Sequence, residues 1–155
     1  MTRKYLIFGL FISLLICVSI SAAIAGENTY SVDVRGVNFN MPNNYQIKSD
    51  FIFEEDVSSQ DRWGNAVSVH YKSVDYTDGN NTITIKVTTS YGEPFTWENV
   101  GFADSPKKTI ANKTGVLNAS PGDVLFSYVE NGKIIQIETF MEKNNENVIG
   151  TVIGN

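Results

Sequence analysis

Apolar and polar residues alternate in a series of short runs along most of this chain, which is typical of antiparallel strands. The clearest case is FSYVENGKIIQIETF, residues 126–140, where two alternating runs flank Asn131-Gly132. A two-residue Asn-Gly loop fixes the register of a hairpin, so Glu130 is predicted to pair with Lys133. The face with Gln136 is then mixed, and the opposite face is apolar. That apolar face carries Val124, Phe126, Tyr128, Ile135 and Ile137.

Four further turns separate alternating runs and predict more hairpins. They lie at Arg35-Gly36, at 78–81, at Lys113-Thr114-Gly115 and at Pro121-Gly122. Three segments are less regular. Residues 45–63 suit a strand or a short helix, 91–106 predict a loop with a helical turn, and 141–155 suit a last strand or a short helix. The predicted fold is α+β and β-rich. It is a single domain with a twisted antiparallel sheet built from hairpins and one or two short helices.

The first 25 residues have the pattern of a targeting segment. Arg3 and Lys4 precede an almost unbroken apolar run, which ends in Ala23-Ile24-Ala25. This pattern predicts a secretory signal peptide over 1–25 and an exported globular domain over 26–155. An uncleaved N-terminal anchor is the alternative, because about 20 apolar residues can cross a bilayer. Both interpretations place the domain beyond the membrane, secreted or tethered.

The charge of the chain argues against two classes of partner, and its cysteine content bears on disulfides. Residues 26–155 contain 10 basic and 17 acidic residues, a net charge of −7. Nucleic acid and anionic lipid surfaces need a basic footprint, so neither is predicted as a partner. The single cysteine, Cys17, lies in the apolar segment and is interpreted as an ordinary apolar residue. The exported domain is therefore predicted to have no disulfide.

Few residues offer catalytic or metal chemistry. His70 is the single histidine and lies by parity with Ser68 and Lys72, so it is interpreted as a solvated residue of the sheet. A zinc site needs three or four Cys, His or carboxylate ligands, so one histidine without cysteine argues against such a site. Two carboxylate groups could offer calcium ligands, but neither matches the spacing of a calcium loop. They are Glu54-Glu55-Asp56 with Asp61, and Asp75 with Asp78 and Asn80. No catalytic residue, metal or cofactor is predicted.

Aromatic residues and sequons complete the candidate sites. Four aromatics cluster in the irregular segment and are candidates for binding a sugar or a protein, although capping the core is the alternative. They are Tyr91, Phe95, Trp97 and Phe102. Three N-x-Ser/Thr sequons are candidate glycosylation sites. Their acceptors are Asn80, Asn112 and Asn118.

Two stretches resemble a known group of proteins. GVNFNMPNNYQ, starting at Gly36, is similar to the opening of small exported proteins of methanogenic archaea, and KTIANKTGVLN with the 126–140 hairpin resembles their second half. The group is uncharacterised, and its order of elements is similar to that of the PsbP-like α+β sandwich, a sheet flanked by helices. The resemblance implies a fold and no catalytic residue.

These patterns together favour a non-enzymatic exported module of the cell envelope or extracellular space that binds a protein or a glycan. A small carboxylate-dependent hydrolase without a cofactor is the first alternative. A structural subunit held by an uncleaved anchor is the second.

Overall fold

The computed structural model describes residues 28–61, 63–143 and 145–154, which form nine strands and one helix. The strands are β1 (Thr29–Val34), β2 (Val37–Pro42), β3 (Gln46–Gln60), β4 (Ala66–Thr77), β5 (Thr82–Ser90), β6 (Lys107–Ile110), β7 (Lys113–Ser120), β8 (Asp123–Glu130) and β9 (Lys133–Phe140). The helix is α1 (Asn145–Ile153). The coarse prediction of a β-rich antiparallel fold is confirmed, with one short helix among the described residues.

Seven of the strands form one antiparallel sheet in the order β3-β4-β5-β9-β8-β7-β6, while β1 and β2 form a separate hairpin. Long β3 and short β6 are therefore the edges of the sheet. The hairpin of β8 and β9 is here called the central hairpin. Its register is the predicted one, because Glu130 pairs with Lys133 and Phe126 with Ile137. Asn131 and Gly132 take φ values of 49° and 74°, as a two-residue turn of this type requires.

One face of the sheet, here called the inner face, lies under the β1–β2 hairpin and α1 and forms the main core. Side chains alternate between the two faces along each strand, so every second side chain points to this face. Its fully buried members include Tyr76, Ile83, Ile85, Val87, Phe126, Ile135 and Ile137. The predicted apolar face of the central hairpin is therefore core. The opposite face is called the outer face.

The predicted turn at 113–115 is wrong by two residues. The turn between β6 and β7 is Ala111-Asn112, whose φ values are 45° and 63°. Gly115 lies inside β7 instead, where a side chain would have no room. A Cβ at this position would lie 2.4 Å from the carbonyl oxygen of Ser127. Glycine thus serves close packing here, although it looks like a turn residue in the sequence.

The two ambiguous segments take definite structures. Residues 46–60 form strand β3, and 145–153 form helix α1. The helix ends at Ile153 and is followed by Gly154, which has a φ of 76° and whose amide donates to the carbonyl of Gly150 at 3.1 Å. A glycine in the left-handed region is the commonest way to end a helix.

The predicted signal peptide or anchor, residues 1–25, lies outside the described residues. Within the part of the chain that the structure describes, no helix is long and apolar enough to span a bilayer.

Candidate functional site

The irregular segment 91–106 lies across the outer face of the sheet. Val100 is the buried hydrophobic residue of this segment, with 2% of its surface exposed. Its first part is tied to the central hairpin, because the amide of Phe95 donates to the carbonyl of Gly132 at 3.1 Å. The Asn131-Gly132 turn therefore holds the loop as well as joining two strands.

A groove of about 340 Å³ remains between this segment and the sheet, and is here called the loop groove. Phe95, Asn99 and Phe102 form its loop side, and residues 57–60 with Val67, Val69 and Tyr71 form its opposite wall. Its floor is formed by Lys86, Thr88, Ile134 and Gln136. The mixed face of the central hairpin thus supplies two floor residues, Ile134 and Gln136. Apolar walls with a few polar groups are typical of ligand sites.

The polar floor of the loop groove has a defined geometry. Lys86 and Gln136 are directly opposite each other on β5 and β9, so their side chains project from the sheet as neighbours. The Lys86 ammonium lies 4.0 Å from the centroid of the Tyr71 ring, a cation–π contact. The Gln136 amide donates to the Ser127 hydroxyl at 3.3 Å. Lys86 is the one formally charged residue among the described residues that line the groove.

The structure brings together three of the four predicted aromatic residues. Phe95 and Phe102 line the loop groove. Trp97 packs edge to face against Phe102, with a distance of 5.5 Å between the ring centroids. The Lys107 ammonium lies over the Trp97 ring, 4.5 Å from its centroid. Tyr91 does not join them. It is 66% exposed and lies beside His70, with a ring-centroid distance of 6.4 Å.

The polar end of the inner face holds a second group of side chains, here called the His70 cluster. It consists of Arg35, Glu54, Asp56, His70, Lys72 and Tyr91. The two nitrogens of His70 lie 2.5 Å from Asp56 Oδ1 and 3.1 Å from Glu54 Oε1. The sequence predicts a solvated histidine of the sheet, and the structure places His70 on the sheet with its side chain 19% exposed and a carboxylate on each side.

Two cations contact the Glu54 carboxylate of this cluster, and a tyrosine hydroxyl contacts Asp56. Arg35, at the tip of the β1–β2 hairpin, donates to Glu54 at 3.2 Å, and Lys72 Nζ lies 3.4 Å from the same carboxylate. The Tyr91 hydroxyl donates to Asp56 at 2.7 Å. The cluster thereby joins the hairpin tip, edge strand β3, strand β4 and the beginning of the 91–106 segment.

Hydrogen bonding sets the protonation states in the cluster. The bonds to Asp56 and then Glu54 raise the pKa of His70 above its usual 6.5. The bond from His70 lowers the pKa of Glu54, and the bonds from Tyr91 and His70 lower the pKa of Asp56. Both carboxylates are ionised at neutral pH and hydrogen-bonded, so the cluster is suited to hold chain segments together. Neither carboxylate is suited to donate a proton.

A different carboxylate has the opposite shift. Burial, Asp123 and Asp75 raise the pKa of Glu138, which lies on the outer face two residues beyond Gln136. Among residues 28–61, 63–143 and 145–154, no three His, Cys, Asp or Glu side chains converge as metal ligands would.

The three predicted glycosylation acceptors all have exposed side chains. Asn80 and Asn112 lie in turns, while Asn118 lies on strand β7. Their modification remains a prediction.

Sequence reasoning missed the floor of the loop groove and the His70 cluster. The alternation of Glu54 with Asp56 on one strand, and of His70 with Lys72 on another, is visible in the sequence, but it does not show that the two pairs share a face. Lys86 had no comparable signal, because its environment depends on the loop that closes over it.

Comparison of the chain with protein-family models, curated proteins and solved structures finds no significant match. The resemblance to small exported archaeal proteins and to the PsbP-like order of elements therefore remains a prediction.

Proposed function

We propose that this protein is a non-enzymatic exported module of the cell envelope or extracellular space, and that it binds a glycan in the loop groove. The observation that carries the proposal is the groove of about 340 Å³ between the aromatic segment 91–106 and the outer face. Its volume lies near the lower end of the range for small-ligand sites, about 300–1,000 Å³.

The lining of the groove favours a sugar over a protein segment. Phe95 and Phe102 offer apolar ring surfaces, on which the C–H groups of a sugar can pack. Hydroxyl and amide groups, which sugar hydroxyls require as partners, come from Ser59, Thr88 and Gln136. A protein hot spot needs a wider apolar patch with a large anchor residue. The groove has instead the mixture of small polar groups and aromatic walls that suits a glycan.

The proposal is tested by measuring the binding of the purified protein to a panel of envelope polysaccharide fragments. The Phe102→Ala variant is expected to lose most of its affinity, because it removes one aromatic wall. Phe140→Ala is the matched control, since Phe140 is an exposed aromatic residue that does not line the groove. Its affinity is expected to stay at the wild-type level.

Two outcomes would contradict the proposal. Wild-type protein that binds no member of the panel would exclude a glycan site of this kind. Capture of one envelope protein, lost in Phe102→Ala and kept in Phe140→Ala, would show that the groove serves a protein instead.

One observation favours a carboxylate-dependent hydrolase as the second candidate. Glu138 has a raised pKa and lies near Asp75 and Asp123, so it resembles a general acid more than any carboxylate of the His70 cluster does. Turnover of a glycan by the wild type, lost in Glu138→Gln, would support this candidate. Binding without turnover would exclude it.

The third candidate, a structural subunit held by an uncleaved anchor, depends on residues 1–25. An N-terminus at Gly26 on the native protein would exclude that version.

A further inference from the structure

We infer that the loop groove selects glycans that carry a carboxylate, and that Lys86 is the residue that binds this carboxylate. The inference rests on the proposed function and names the chemical class of the ligand. It is carried by the placement of one cation in a groove whose described lining contains no carboxylate.

The charge of the groove is opposite to that of the protein. The chain has a formal net charge of −5, yet the described lining residues contribute one positive charge and no negative one. Serine, threonine, asparagine and glutamine are among the other polar residues of the lining. A neutral ligand would not require an ammonium group at this position, and a cationic ligand would be repelled by it.

The Lys86 ammonium is held in the groove without being neutralised. It lies over the Tyr71 ring at 4.0 Å. Among the described residues no carboxylate pairs with it, and this includes Glu138, two residues from the cross-strand partner Gln136. Three other lysines, Lys72, Lys108 and Lys113, each pair with a glutamate. A cation–π contact fixes the position of a cation and leaves its charge available to a ligand.

The neighbour of Lys86 completes a two-point site for a carboxylate. Because Lys86 and Gln136 are directly paired across β5 and β9, the ammonium and the amide project side by side. The two oxygens of a carboxylate can accept from these two donors together. Charge-assisted hydrogen bonds of this kind are stronger than neutral ones. The Phe95 and Phe102 side of the groove would contact the sugar ring that carries the carboxylate.

The test compares uronic acid oligosaccharides with their carboxyl-reduced, neutral counterparts by titration calorimetry. The probes are oligomers of galacturonate, glucuronate and mannuronate. At least one acidic oligomer is expected to bind the wild type about tenfold more tightly than its reduced form, as one charge-assisted contact allows. Raising the ionic strength should reduce this preference, because salt screens the interaction.

Lys86→Met keeps an unbranched side chain at this position and removes the charge. This variant is expected to bind acidic and reduced oligomers equally, at the affinity of the wild type for the reduced form. Lys107→Met is the matched control, since Lys107 also lies over an aromatic ring, that of Trp97, but does not line the groove. It should keep the full preference.

The inference and the proposed function can fail separately. Reduced oligomers that bind as tightly as acidic ones, with Lys86→Met unchanged, would overturn the role of Lys86 and leave the glycan site standing. Acidic preference that persists in Lys86→Met would also overturn it. If no oligomer or other glycan binds, the proposed function and this inference both fail.

Discussion

The amide of Phe95 donates a hydrogen bond to the carbonyl of Gly132 at 3.1 Å, and this contact joins the groove-forming loop to the turn between β8 and β9. The same turn is in direct contact with the loop through Pro94. A Cβ at position 132 would lie 2.8 Å from the Cβ of Pro94. Gly132 therefore has two functions: it supplies the left-handed conformation of the turn, and it leaves room for the loop to close.

Gly132→Ala is accordingly expected to displace the 91–106 segment. The left-handed conformation alone costs about 1–2 kcal/mol for a residue with a Cβ. The clash with Pro94 adds to this cost and should raise hydrogen exchange across the loop. Gly122→Ala is the control, because Gly122 has a similar φ of 80° but a Cβ added there would have no atom within 4 Å. Equal loop exchange in both variants would contradict the role of Gly132 as a spacer.

The central hairpin was predictable from sequence because its information is local. Asn131-Gly132 sets the turn, and a two-residue turn sets every cross-strand pair up to Val124 and Thr139. The contact between Phe95 and Gly132 is not local in this sense. It joins residues far apart in sequence, and no periodic pattern in 91–106 records which surface the loop will cover.

The His70 cluster shows a second limit of sequence reasoning. Parity places His70 with Lys72 correctly, and both lie on the inner face. Which residues of β3 lie opposite depends on a register shift between Ile47 and Ile52. Such an irregularity offsets a strand relative to its partner, so alternation counted along the chain no longer identifies the face. The structure is needed to place Glu54 and Asp56 beside His70.

The contribution of the His70 cluster to stability is expected to be largest at mildly acid pH. The pKa of His70 is raised in the folded state, so its contribution is complete below the unfolded value of about 6.5 and is lost as pH rises through the folded value. The pKa values of Glu54 and Asp56 are lowered, so their contributions are lost as pH falls below their unfolded values of 4.5 and 3.8. The cluster should stabilise the fold most between about pH 4.5 and 6.5.

The titration of His70 can be followed directly by NMR, since it is the single histidine of the chain. Its measured pKa should lie above 6.5 and should fall in Asp56→Asn, which removes the charge of its nearest partner. Denaturant unfolding of His70→Gln should show a weaker loss of stability above pH 6.5 than the wild type. A His70 pKa at or below 6.5 would contradict the geometry of the cluster.

Gly115→Ala tests the close packing of β7 on β8. The added methyl group would lie 2.4 Å from the Ser127 carbonyl oxygen and 2.7 Å from Phe126 Cζ, so backbone and core must both move. Overpacking of this kind costs about 1–3 kcal/mol, measured as a lower free energy of unfolding in denaturant. Gly101→Ala is the control, since nothing lies within 4 Å of a Cβ there. A loss in Gly115→Ala no larger than the loss in Gly101→Ala would show that the strands separate more easily than their packing indicates.

We expect the protein to associate through the exposed apolar residues of edge strand β3. Phe53 is 53% exposed and Ile52 44% exposed on an edge that has no strand beyond it among the described residues. Unpaired edges with apolar side chains recruit other strands, and a lysine on such an edge opposes this. Phe53→Lys should therefore slow aggregation at high protein concentration, followed by light scattering, with little change in the free energy of unfolding. Phe140→Lys replaces an aromatic of similar exposure, 42%, on the interior strand β9, and should leave the aggregation rate unchanged. If both variants slow aggregation equally, general surface hydrophobicity is responsible and the edge of β3 is not.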